Sequence, residues 1–152
     1  MKHAILAVVL FGAACMPPSA KAYALTDAVR TYTEGVKWER FESAAAVLPA
    51  AQRRGFLDER DLLAKDLRIT DTEILRVDER DRRAEVLVKL SWYSERENIV
   101  HTSVATQRWE RQGKSWKLVD ERRSRGDEMP GLQEDDEAVG LGGPEMARSG
   151  GE

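Results

Sequence analysis

The sequence predicts an α+β domain, with its helices first and an antiparallel meander last. Apolar residues recur at helical spacing from Leu25 and again, briefly, from Asp58. From Leu67 the spacing changes to alternation, clearest where Ala84, Val86, Val88, Leu90 and Trp92 fall on one face. Short polar turns at Asp78–Arg82, Ser94–Asn98 and Gln112–Lys114 separate the alternating stretches. Turns this short join antiparallel neighbours, because parallel ones need a long crossover. Helices and strands segregated in this way define the α+β class.

In the first helix Thr26 is placed to cap the orphan N–H groups and Asp27 to complement the positive end. Ala28, Val29, Tyr32, Gly35 and Val36 share its apolar face. The stripe then jumps: Trp38, Phe41, Ala45 and Leu48 lie nearly opposite, which predicts a break between Lys37 and Arg40. Pro49 ends the second piece. After Gly55 a short helix is expected over Asp58–Lys65, with Leu57 stapled against Leu62 and with Leu63 covering an edge of the sheet. No chemistry is read in it.

Leu67, Ile69, Ile74, Leu75 and Val77 make a first strand with an irregularity near Asp71 and Thr72. The Arg83–Tyr93 strand follows, then a long strand over Ile99–Arg111 and a last one over Ser115–Glu121. Across the final hairpin Trp109 is expected opposite the region of Trp116, with Leu118 continuing that face. Aromatic cross-strand pairs contribute roughly 0.2 to 1 kcal/mol beyond a pair of small residues.

At 152 residues, less an N-terminal signal and a polar tail, the chain holds one domain of about 100 residues with a single modest core. Its hydrophobic share of 41% and charged share of 34% suit a soluble domain with a heavily solvated surface. The net charge of −3 becomes −5 once Lys2 and Lys21 leave with the first 22 residues. That balance argues against nucleic acid, whose phosphates demand a dense basic surface.

Met1–Ala22 has a basic start and an apolar run from Ala4 to Ala14, too short to span a bilayer, and reads as an export signal. Two processing sites compete. Ala20–Lys21–Ala22 is an A-x-A site whose cleavage leaves Tyr23 at the N-terminus. Phe11–Gly12–Ala13–Ala14–Cys15 resembles a bacterial lipoprotein box ending in the cysteine that becomes lipidated, although Gly12 stands where a larger aliphatic is usual. Cys15 is the only cysteine, so the domain has no disulfide of its own. An acylated Cys15 would leave a linker of about ten residues, reaching roughly 30 Å. Met16 in place of an aspartate then implies the outer membrane of a Gram-negative host. From Arg123 to Glu152 the apolar pattern stops, and glycines and the acids Glu134–Glu137 accumulate, which predicts a disordered tail.

The order of these elements, with ITDTEILRV, AEVLVKLSWY and QRWERQGKSWKLV as successive strands, resembles the superfamily of cone-shaped domains related to nuclear transport factor two. Within it, the chain is similar to small exported bacterial proteins of unassigned function. The likeness covers Leu25–Glu121, and its most specific piece is Trp109–Leu118, a W-x-R-x-G-x-x-W-x-L ending. It implies helices packed in a strongly curved, four-stranded antiparallel sheet, a cone whose open end can hold a small molecule, within a domain of residues 25–122. It also implies a possible homodimer through the exposed sheet face, where Leu87, Tyr93 or Val100 would contribute. Enzymes of the superfamily place an Asp, His or Tyr in the cone, which makes Tyr32, Asp71 and His101 the residues to examine.

Each of the three also has an ordinary explanation: Tyr32 as a core tyrosine, Asp71 as a turn former, His101 as a strand-face histidine. One histidine cannot build a standard zinc set, and neither a metal nor a cofactor is expected. Trp92, Trp109 and Trp116 fall where core packing accounts for them. The sequence therefore points to a non-catalytic accessory or binding domain at the bacterial envelope, recognising an envelope protein or a small apolar molecule. Its membrane contact would be limited to a lipid on Cys15. The alternative is an isomerase or dehydratase acting in the cone. Intact-mass measurement of the exported protein tests the address: a lipid-modified chain beginning at Cys15 or an unmodified one beginning at Tyr23 is expected, and retention of Met1–Ala14 excludes export.

Overall fold

Helix-forming residues around Ala20, Ala22 and Ala24 start the first helix earlier than Leu25, so that Thr26 lies inside it rather than capping it. A computed structural model describes residues 20–134; Cys15 and the remainder of Met1–Ser19 lie outside the described residues, as does the chain after Glu134. Helix α1 spans Ala20–Lys37 and α2 spans Phe41–Ala45. The predicted break falls between them, where Glu39 adopts φ 54° and the Arg40 N–H bonds back to the Gly35 carbonyl at 2.7 Å. Gly35 makes the fold-back possible. A Cβ there would stand 2.8 Å from the Ala44 Cβ and 2.9 Å from its backbone nitrogen, so only a hydrogen fits between the two helices.

A 3-10 turn at Ala50–Gln52 leads into α3, Arg53–Leu63. This helix begins five residues earlier than expected, and Gly55 lies within it, where a Cβ would project into open space. The expected Leu57–Leu62 face is also displaced. Leu62 is 64% exposed, and the inward stripe is Phe56, Arg60 and Leu63, spaced four and then three apart.

The sheet is a meander of β1 (Leu67–Arg80), β2 (Arg83–Ser94), β3 (Val100–Gln112) and β4 (Ser115–Gly126), all antiparallel. A two-residue strand β5, Gln133–Glu134, adds in parallel beside β4 and brings the strand number to five. The alternation of β2 is realised in full: Ala84, Val86, Val88, Leu90 and Trp92 are buried. They pack with Leu25, Val29, Tyr32 and Val36 of α1 and with Ala105, Trp109, Trp116 and Leu118. Trp109 pairs with Leu118, and Trp116 lies two pairs nearer the turn, opposite Arg111. On the outer face Leu87 and Tyr93 are half-buried and Val100 is 66% exposed.

Four extra residues interrupt the ladders. The predicted irregularity in β1 lies between Ile69 and Asp71, and a second falls between Ile74 and Arg76. In β4 the register slips at Val119, which has no partner between Leu118 and Asp120, and again at Ser124. Each bulge exchanges the two faces of its strand from that point on.

The boundary drawn from sequence after Arg122 moves outward. β4 continues to Gly126, the Asp127 N–H bonds to the Thr102 carbonyl at 2.9 Å, and Met129 and Leu132 join the core. A hook of apolar residues was hidden in a segment whose glycines and acids dominate its composition. Two substitutions test these close contacts by urea denaturation. Gly35→Ala is expected to destabilise by about 1 to 3 kcal/mol despite alanine's better helix propensity, and Leu132→Ala by about 2 to 4 kcal/mol.

Candidate functional site

Burial of Tyr32 in the cone leaves its hydroxyl needing a partner, and β4 supplies one. The hydroxyl donates to Glu121 Oε2 at 2.6 Å, while Gln107 Nε2 from β3 donates to the other carboxylate oxygen at 2.8 Å. Gln107 is held in turn by Trp109, whose indole N–H donates to Gln107 Oε1 at 3.1 Å. Arg60 brings its guanidinium within 4.0 Å of Glu121 and over the Phe56 ring at 5.4 Å. Trp109 meets Tyr32 edge-on, with centroids 6.4 Å apart. Four elements thus converge on one carboxylate whose side chain is 12% exposed.

The Val119 bulge makes this arrangement. Before it, Trp116 and Leu118 point inward; after it the inward residue is Glu121, in register with Gln107, and not Asp120. The bulge is itself pinned, since Gln52 Nε2 donates to the Val119 carbonyl at 3.3 Å. Burial and, next, the neighbouring charge of Glu121 push the Tyr32 phenol well above its ordinary range. The hydroxyl is therefore a fixed donor at neutral pH and no base.

Above this floor opens a pocket of about 540 Å³ between α3 and β4, walled by Leu48, Phe56, Leu118 and Leu132 and rimmed by Glu59 and Gln52. Gly131, at φ 78°, lies against it, and a side chain there would run into Leu63. A trough of about 690 Å³ at the β1–β2 hairpin is wider, but Asp78, Glu85 and Glu110 alternate in it with Arg80, Arg83 and Arg108. Its charges balance, and no buried polar group ends in it.

Of the three residues singled out in the sequence, only Tyr32 lies in this pocket. Asp71 is exposed at the first bulge of β1 and pairs with Lys37 Nζ at 3.2 Å, which holds its carboxyl below the usual range. His101 faces Trp92 across β2 and β3, stacked at 4.5 Å, with its two ring nitrogens 3.4 Å from Glu97 and Asp127. Neither lines the pocket of Tyr32. Sequence reasoning missed Arg60, Gln107 and Glu121. The usable signal was an arginine set between Phe56 and Leu63 on the stripe of α3. Among the described residues no three His, Cys, Asp or Glu side chains converge as a metal set.

No family model and no curated protein matches the chain. Solved structures do. The hexachlorocyclohexane dehydrochlorinase LinA-type3 from Novosphingobium barchaimii superposes with a TM-score of 0.57 at 16% identity, over 75% of this chain and 93% of that one. A protein of unknown function with a cystatin-like fold from Nostoc punctiforme gives 0.53 at 13% identity, over 77% and 98% of the two chains. A domain from the same organism, likewise cystatin-like and of unknown function, gives 0.55 at 14% identity, over 70% and 78%. The chain therefore has the cystatin-like cone fold, as the resemblance to nuclear transport factor two implied.

The buried network has a measurable signature. Tyr32→Phe strips one donor from Glu121 and is expected to cost about 1 to 3 kcal/mol at neutral pH. Because the folded phenol holds its proton more tightly than the unfolded one, wild-type stability is constant below the unfolded value and falls above about pH 10. Tyr32→Phe should flatten that alkaline decline in denaturation curves taken from pH 8 to 11.

Proposed function

We propose that the chain is a non-catalytic binding domain of the bacterial cell envelope, taking a small molecule into the pocket between α3 and β4. The observation that carries this is the open pocket of about 540 Å³ lined by the buried Tyr32 and Arg60 and the partly buried Glu121. Ligand sites combine an apolar wall with a few fixed polar groups in this way. The signal-like Met1–Ala22 supports export, with attachment through Cys15 as one form of it.

An isomerase or dehydratase has less support. General acid–base catalysis needs a proton acceptor or donor tuned to the working pH within reach of substrate. Here the phenol is held protonated, and Asp71 and His101 are engaged with other partners away from the pocket. The likeness to the dehydrochlorinase lies in fold, which hosts many functions.

Protein-observed NMR against a library of small metabolites checks the reading. At least one compound class is expected to shift amides of Gln52, Phe56, Glu59 and Leu118–Glu121 together. A library that leaves all of these unmoved rejects a binding role for the pocket.

A further inference from the structure

How deep a molecule reaches, a question that rests on the binding role just proposed, is set by the pocket's inner wall. Behind the pocket lies a void of about 10 Å³ inside the cone. Tyr32, Arg60, Glu121 and Leu132 border both spaces and form the partition between them. Three of the four are tied together, since the Tyr32 hydroxyl donates to Glu121 and Arg60 lies 4.0 Å from the same carboxylate. The Leu132 side chain has no such tie and holds its place by packing alone.

The segment that carries Leu132 is fastened unequally. Asp127 is bonded three times: its N–H donates to the Thr102 carbonyl at 2.9 Å, its carboxylate accepts from the Thr102 N–H at 3.1 Å, and its carbonyl accepts from Ser103 Oγ at 2.6 Å. At the far end the two residues of β5 pair with Arg122 and Arg123, and exposed Glu134 meets Arg123. Glu128 adds an exposed ion pair with Arg123 at 4.0 Å. In between, the Leu132 N–H turns back to the segment's own Met129 carbonyl at 3.1 Å. Among the described residues no hydrogen bond joins Met129–Leu132 to α3 or to the strands. Release of β5 therefore gives up two apolar side chains and a two-residue pairing, far less than unfolding the sheet, and segments held in this way open locally.

We propose that Met129–Glu134 is a flap over the mouth of the cone, hinged at Asp127 and released at β5, whose outward swing withdraws Leu132 and joins the pocket to the void behind it. The enlarged cavity gains an inner end walled by Val36, Ile69 and Leu90.

Amide hydrogen exchange followed by NMR on the purified chain tests the hinge. The Leu132 amide is expected to exchange at least about tenfold faster than that of Val88 in the interior strand β2. Gly35→Ala acts at the distant α1–α2 contact. It should speed Val88 by about five- to hundredfold and leave Leu132 unchanged, because the flap opens without unfolding the helices. Equal acceleration of the two amides means that the segment leaves only with global unfolding and overturns the flap. Glu134→Ala, an exposed change at the released end, should speed Leu132 by about two- to fivefold. No change there overturns release at β5.

The uncharged paramagnetic cosolute TEMPOL tests what the swing opens. It is expected to broaden the methyl signals of Val36 and Leu90, which border the void, more in Glu134→Ala than in the wild type. Val86, fully buried and not bordering the void, should stay sharp in both. Equal broadening in the two proteins, or none in either, overturns the joining of the two spaces. No pocket ligand enters these measurements, so an immobile flap leaves the binding role standing, and the metabolite library can reject that role while the flap still swings.

Discussion

A carboxylate taken out of water has to be met by donors from whatever surrounds it, and Glu121 is met from three other elements. Tyr32 reaches it from α1, Gln107 from β3 and Arg60 from α3. Breaking a buried charge cluster by removing one partner is far more costly than any single contact in it is worth. The position of α3 over the sheet, the tilt of α1 and the inward aim of β4 after Val119 are therefore mutually constrained. The apolar core would accept small shifts of the helices; the Tyr32–Glu121 hydrogen bond of 2.6 Å does not. The same constraint creates the pocket, because side chains that must meet at one carboxylate cannot also fill the space above it.

The meander was legible in the sequence because β2 alternates without interruption and its turns are short. The break after α1 was legible because the apolar stripe changes sides. Glu121 was not. Period-2 counting from Trp116 and Leu118 carries the inward face to Asp120, and only the unpaired Val119 moves it to Glu121. An extra residue in a strand leaves no mark in composition, so any inward charge beyond a bulge is assigned to the wrong side. Arg60 was concealed differently. Among arginines most are solvated, and Leu57, Leu62 and Leu63 offered a more apolar face for the same helix. Choosing Phe56, Arg60 and Leu63 instead required knowing that a carboxylate waited opposite.

The tail illustrates a limit of composition as a guide to order. Residues Arg123–Glu134 are polar enough to read as unstructured, yet two apolar side chains, Met129 and Leu132, suffice to dock the segment. Burying a side chain of that size is worth roughly 1.5 to 3 kcal/mol, comparable with the backbone entropy of ordering one or two residues. The remaining stabilisation comes from hydrogen bonds to β3 at Thr102 and Ser103, through both the backbone and the carboxylate of Asp127.

That docking also gives His101 a physical role different from the one its chemistry suggested. Its ring stacks on Trp92 and lies 3.4 Å from Asp127, the residue that turns the chain out of β4. Trp92 donates to Ser103 Oγ at 2.9 Å, and Ser103 in turn donates to the Asp127 carbonyl at 2.6 Å. From that clamp the chain runs through Met129 to Gly131 and Leu132, which line the pocket together with Leu48 and Leu118. His101 thus bears on the site by fixing one end of a segment whose other end forms a wall. A residue that bears on a pocket wall through the four residues between Asp127 and Leu132 is subject to packing and hydrogen-bond geometry.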